Sequence, residues 1–173
     1  MVSDSTLDGV RTTGGNRRGV IGRRVALSLM LLAVLVGASG FLGVKSRTIY
    51  ASGNGYRMSL TYPQVARGGL DIPWRLTVYA PPTGFPKQIT IAVSNRWWDI
   101  LEYQDLHPEP NVETGTPEFI YLAFSPAPYS HRFSLSLDTY IQPASQVGRS
   151  ATVQLIANNQ TLAQLHYKTW LMP

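Results

Sequence analysis

Apolar residues recur at every second position over most of the chain. In YRMSLTY, Tyr56, Met58, Leu60 and Tyr62 alternate with Arg57, Ser59 and Thr61. A period of two is the signature of a half-buried strand, whereas a helix would repeat every 3.6 residues. Trp74, Leu76, Val78 and Ala80 repeat the pattern, and so do Ile89, Ile91 and Val93. Further runs follow at Ile120, Leu122 and Phe124, and at Phe133, Leu135, Leu137, Thr139 and Ile141. Ala151, Val153, Leu155 and Ala157 predict a sixth strand; Ala163, Leu165 and Tyr167, extended to Leu171, predict a seventh. Asn158-Asn159-Gln160 between the last two reads as a hairpin turn, because Asn tolerates positive φ. Proline and glycine fall between the runs, as in Arg67-Gly68-Gly69, Ala80-Pro81-Pro82 and Pro126-Ala127-Pro128. About seven short strands, each with one apolar face, predict an all-β fold: an Ig-like, two-sheet antiparallel β-sandwich.

One stretch does not alternate. Val25 to Val44 (VALSLMLLAVLVGASGFLGV) holds twenty residues without a charge, about the length that spans a bilayer core of ~30 Å. Arg17, Arg18, Arg23 and Arg24 precede it, and Lys45 and Arg47 follow. The excess of positive charge before the span predicts a cytoplasmic N-terminus and an outer domain on the far side of the cell membrane, in a single-pass, signal-anchor topology. The rival is a cleavable signal, with Ala38-Ser39-Gly40 as a small-x-small cleavage site. The apolar run resumes at Phe41-Leu42-Gly43-Val44 and the basic tail is long for a signal, which favours the uncleaved anchor. The expected organisation is a disordered basic tail (1–24), a transmembrane helix (25–44), a flexible stem (45–55) that includes YASGNG, and an extracytoplasmic sandwich (56–173).

RGGLDIPWRLTVYAPPTGFPKQITIAV resembles the opening of bacterial Ig-like sandwich modules of the CARDB and adhesion type. Together with QPASQVGRSATVQL and the ending HYKTWLMP, it is also similar to small membrane-anchored proteins of actinobacterial type. The resemblance covers most of residues 56–173. It implies a cell-surface module and carries over no functional residue.

Charge and composition narrow the function further. The chain has 173 residues and a net charge of +5. The tail holds five arginines against Asp4 and Asp8, while residues 45–173 are nearly balanced, with ten basic and eight acidic residues. A nucleic-acid binder is expected to carry a basic stripe on its folded domain, so that class is set aside. With no cysteine, a disulfide framework, a thiolate metal site and a cysteine nucleophile are excluded. Nor does the sequence hold a G-x-S-x-G elbow. His107, His131 and His166 are too far apart in sequence for a local metal motif. Met58 falls on an apolar strand face, which argues against a copper carrier. No cofactor is expected.

Chemistry is concentrated in SNRWWDILEYQDLHPEP (Ser94 to Pro110). Trp97, Trp98, Asp99, Glu102, Tyr103, Asp105 and His107 are the candidate binding residues, and six of the ten acids lie between Asp99 and Glu118. Read structurally, Ser94 or Asn95 caps a short helix that presses Trp97, Trp98 and Leu101 onto the sandwich, leaving the acids as a solvated rim. Read as a surface, an exposed Trp98 with Tyr103 would meet a protein partner or stack on sugar rings. A calcium site from Asp99, Glu102 and Asp105 ranks last, because D-x-x-E-x-x-D lacks the density of a calcium loop. The expectation is a non-enzymatic, membrane-anchored binding or accessory module contacting another envelope or membrane protein. The alternative is a cell-wall glycan-binding module. An envelope hydrolase comes third and needs a pair such as Glu102 with His131 to be joined by the fold.

Overall fold

The computed structural model describes residues 17–40 and 43–172, except for the side chains of Tyr103 and Gln104. The chain divides into two compact units, residues 1–42 and 43–173.

In the first unit, α1 runs from Arg17 to Ala38. It begins earlier and ends sooner than the apolar run implies. Arginine is a good helix former, and elongation is favourable once a helix is nucleated, so Arg17, Arg18, Arg23 and Arg24 lie inside α1 rather than in a disordered tail. Residues 1–16 of that expected tail lie outside the described residues. The helix stops because Gly40 takes a left-handed conformation (φ 67°), the usual device for ending a helix. Ser39 closes the last turn, its N–H donating to Leu35 O and its Oγ to Val36 O. At 22 residues, about 33 Å at helical rise, α1 is long and apolar enough to cross a bilayer, a property shared with signal sequences.

The second unit is a two-sheet sandwich. Its elements are β1 (Lys45–Gly53), β2 (Tyr56–Arg67), β3 (Asp71–Tyr79), β4 (Ile89–Ser94), α2 (Asn95–Trp98), β5 (Leu101–His107), β6 (Val112–Gly115), β7 (Phe119–Phe124), β8 (Arg132–Ile141), β9 (Ser150–Ala157), β10 (Gln160–Lys168) and β11 (Trp170–Met172). Sheet A has the order β1-β2-β3-β8-β5, with β11 also on β2; sheet B has the order β10-β9-β4-β7-β6. The pairings are antiparallel except that β11 runs parallel to β2. All seven predicted strands are present. The additional ones are β1, β5, β6 and β11, so the described sandwich holds eleven rather than about seven.

The expected stem is the largest correction. Residues 45–53 form β1, paired along its length with β2. Asn54 (φ 49°) and Gly55 (φ 81°) make the two-residue turn between them, the left-handed pair that suits a hairpin. Gly53 is needed because a Cβ there would collide with the Leu162 carbonyl, where β1 lies against β10. Asn158 and Asn159 take positive φ in the β9–β10 hairpin, as expected. Leu171 is not part of the seventh strand. The chain switches from sheet B to sheet A at Thr169, which is buried between β10 and β11.

Inward residues of both sheets, among them Leu60, Leu76, Ile91, Leu122, Leu135 and Leu155, form one continuous core. Fully burying such a side chain contributes about 1.5–3 kcal/mol. Val44, expected in the membrane span, packs instead as a partly buried residue against this core.

Candidate functional site

Ser94 to Pro110 is the passage from sheet B to the edge of sheet A. Strand β4 ends at Ser94, and the single turn α2 redirects the chain into β5. Ser94 does not cap α2. Its Oγ accepts from Thr152 N (2.8 Å) and donates to Thr152 O (3.3 Å), tying the end of β4 to β9. Leu101, expected on the helix, is the first residue of β5.

The turn drives Trp97 into the core, where its exposure is 0%. Its ring lies 6.1 Å from Trp74 and meets Tyr167 edge-on at 5.4 Å. Tyr62 completes the cluster at 4.5 Å from Tyr167. Such ring pairs contribute about 0.5–1.5 kcal/mol beyond their burial. The polar atoms inside are satisfied: Trp97 Nε1 donates to Thr169 Oγ1 (3.0 Å), and Trp74 Nε1 donates to Tyr167 Oη (3.1 Å). Burial raises the Tyr167 pKa well above the usual tyrosine value, against the lowering effect of the Trp74 bond. Trp98 is half-buried and packs against the core. A second large ring on the same turn thus also finds apolar cover, whereas the alternative surface reading called for an exposed Trp98.

The acids take the solvated positions. Asp99, Glu102 and Asp105 are exposed, as are Glu109, Glu113 and Glu118. Asp99 is the C-cap of α2. Asp105 Oδ2 lies 3.0 Å from His107 Nε2, with both side chains more than half exposed, so the pair adds little stability. Glu102 sits opposite Tyr140 and accepts its hydroxyl; this bond, followed by burial and the charges of Glu102 and Asp71, raises the Tyr140 pKa. Tyr103 is placed only by its backbone, opposite Thr139. Asp99, Glu102 and Asp105 do not converge, and among the described residues no cluster of three or more His, Asp or Glu is arranged to hold a metal ion. Nor does the fold join Glu102 to His131. Glu102 pairs with Tyr140, while His131 precedes β8 at its other end, nine residues or about 30 Å away along an extended strand.

The register gathers a different set of residues on the outer face of sheet A. Arg57, Tyr79 and Arg132 form one cross-strand row, with both guanidinium groups beside the Tyr79 ring at 5.8 and 5.9 Å. Next come Ser59, Thr77 and Ser134, then Thr61, Arg75, Ser136 and His107. A fourth row is Pro73, Asp138 and Asp105, and the last is Asp71, Tyr140 and Glu102. The face is thus basic at one end and carries four carboxylates at the other. Asp105 and Asp138 lie directly opposite each other, a like-charge pairing that works against stability. Asp71, Asp138, Arg57, Tyr79 and Arg132 were not among the sequence candidates. Their outward positions were readable from the alternation, but their assembly depends on which strands pair.

Sheet B presents another kind of surface. Gln154 Nε2 donates to Gln164 Oε1 (3.2 Å), and Gln164 Nε2 lies 2.7 Å from His166 Nε2. An amide nitrogen only donates, so His166 Nε2 accepts and Nδ1–H faces Thr152 Oγ1 at 2.9 Å. The result is an exposed ladder of neutral hydrogen-bonding groups on β9 and β10.

No protein-family model matches the chain, and no curated protein matches it. Among solved structures it is similar to the N-terminal domain of the Streptococcus gordonii adhesin Sgo0707, with 15% identity and a TM-score of 0.46 over 62% of this chain and 30% of that one. It is also similar to the Pseudomonas fluorescens alkylpurine DNA glycosylase AlkC bound to DNA containing an abasic site analogue, with 11% identity and a TM-score of 0.30 over 75% of this chain and 31% of that one. The chain spans about a third of the length of each. Likenesses of this size assign no activity.

Proposed function

We propose that this is a single-pass membrane protein with its N-terminus in the cytoplasm, whose sandwich is a non-enzymatic binding module outside the membrane. The module engages another envelope or membrane protein through the outer face of sheet A. The observation that carries this reading is the sorting of charge along that face, from Arg57 and Arg132 to Asp71, Glu102, Asp105 and Asp138. The acidic end includes the opposed pair Asp105 and Asp138. Self-repulsion of this kind is relieved when a basic partner surface docks, so the face favours a partner with a complementary positive patch. Complementary potentials of this kind set orientation and association rate.

The test is a photo-crosslinking residue placed at Glu102 or Asp138, with Gln154 on the opposite sheet as control, in cells making the full chain. Adducts to one membrane or envelope protein are expected from the first two positions only. They should disappear on combining Asp71→Asn, Asp105→Asn and Asp138→Asn. A monomer without adducts would overturn the reading. Retention on purified wall polymer, lost on Gln164→Ala with His166→Ala, would transfer it to the glycan alternative and to the sheet B ladder.

A further inference from the structure

Within the sandwich, one tip differs in composition from the rest. The strand that begins the unit, β1, starts there at Lys45, opposite Val65. Trp170 of β11 pairs with the same Val65, and Met172 pairs with Arg67. Arg149 O accepts the Thr169 N–H, which brings the β8–β9 loop beside the switch between β10 and β11. Arg149 also lines a crevice with Arg96, Asp99 and Ile100. Lys45, Arg67, Arg96, Arg149 and Lys168, half of the ten basic residues that follow the apolar helix, therefore meet at this tip. No ion pair is formed by Arg67, Arg96, Arg149 or Lys168 among the described residues. Asp99, in the crevice with Arg96 and Arg149, is the carboxylate set against these five cations, while Asp71 and Glu102 of the same half lie on the outer face of sheet A.

The tip is also where large apolar groups remain in water. Trp170 is 55% exposed, and Val147 of the β8–β9 loop is 62% exposed. Lys168 Nζ stands 3.6 Å from the centre of the Trp170 ring. A tryptophan next to a lysine, near Arg67, Arg96, Arg149 and the exposed Val147, suits the headgroup layer of a membrane. Indole favours that zone for its amphipathic ring, and ammonium and guanidinium groups favour it for its phosphates.

We propose that this tip is a lipid-contact surface, in which Lys168, Arg149 and Arg67 engage the phosphates of anionic phospholipids and Trp170 inserts among the headgroups. The proposal rests on the membrane-anchored reading above. It leaves the outer face of sheet A free for a protein partner.

The experiment uses the full chain in nanodiscs of phosphatidylcholine alone or mixed with phosphatidylglycerol. Quenching of tryptophan fluorescence by brominated lipid is measured, and a Trp170→Phe variant identifies the contribution of that residue. Hydrogen exchange of residues 143–149 and 168–172 is followed in parallel. Quenching assigned to Trp170 and slowed exchange are expected in the anionic discs, several-fold weaker in phosphatidylcholine or at high salt. Both should be lost on combining Arg149→Gln with Lys168→Gln, with the melting temperature unchanged. Quenching that ignores lipid charge and the double substitution, or is absent while the chain stays in the disc, overturns the proposal and leaves the anchor standing. If alkaline extraction releases the chain from cell membranes, the anchor reading falls instead. The released sandwich is then mixed with anionic vesicles, where binding that depends on Arg149 and Lys168 supports the lipid surface and no binding overturns it.

Discussion

Trp97 and Trp98 are adjacent in sequence and differ in environment because helical neighbours are turned by about 100°. Only one of them can point straight into the core from a four-residue helix. A buried indole N–H needs an acceptor, and Thr169 Oγ1 supplies it from the point where the chain changes sheets. Trp97 therefore couples the β4–β5 crossover to the β10–β11 switch. Trp97→Ala is expected to cost about 3–5 kcal/mol, as for other large core truncations. Trp98→Ala is expected to cost about 1 kcal/mol, in line with partial burial. Denaturant unfolding of the solubilised chain measures both, and equal losses would contradict the assignment of Trp97 to the core.

Strand β5 shows how an element can be invisible to a pattern and still well specified. Leu101 and Leu106 are both buried, yet they are five positions apart, an odd offset that in a regular strand puts them on opposite faces. The register slips between Tyr103 and Asp105, so that Gln104 is the extra residue of a bulge. The bulge returns Leu106 to the inward face and leaves Glu102, Asp105 and His107 outward. It also breaks the period of two, which is why the segment reads as helix or loop from sequence. A bulged, charged strand at the rim of a sheet resists pairing with another chain. Deleting Gln104 should force Leu101 or Leu106 into water and lower stability by about 2–5 kcal/mol, as in leucine-to-alanine changes. An unchanged unfolding midpoint would contradict the bulge. The other unpredicted strands have related causes. β6 is four residues long and exposed throughout, and β11 has three residues. β1 buries little, although its Asn54-Gly55 turn was a usable hairpin signal.

At the scale of the whole molecule, the helix and the sandwich have different claims on the same apolar run. Gly40 ends α1, and Val44 packs, partly buried, against the sandwich core. The charge-free part of the helix is then Val25–Ala38, about 21 Å at helical rise. Arg23 and Arg24 complete a span only by extending their charged ends toward the headgroups. N-terminal sequencing of the membrane fraction should find the uncleaved chain, with the first residues before Arg17 intact. A mature chain beginning near Phe41 would show that the helix is a signal rather than an anchor.

The local code determined the all-β class, the seven long strands, the turns at Asn158-Asn159 and the apolar N-terminal segment. Those features follow from alternation, turn chemistry and hydropathy, each readable within a few residues. Sheet membership, register and the fate of individual aromatics depend on contacts between residues far apart in sequence. Tertiary structure alone buried Trp97 beneath Thr169 and separated Asp99 from Asp105. It also aligned Asp71, Asp138, Glu102 and Asp105 across three strands. The acids of Ser94–Pro110 were legible as solvated from the start. Their neighbours were not, because a strand pattern gives the face a residue occupies but not the strands that lie beside it.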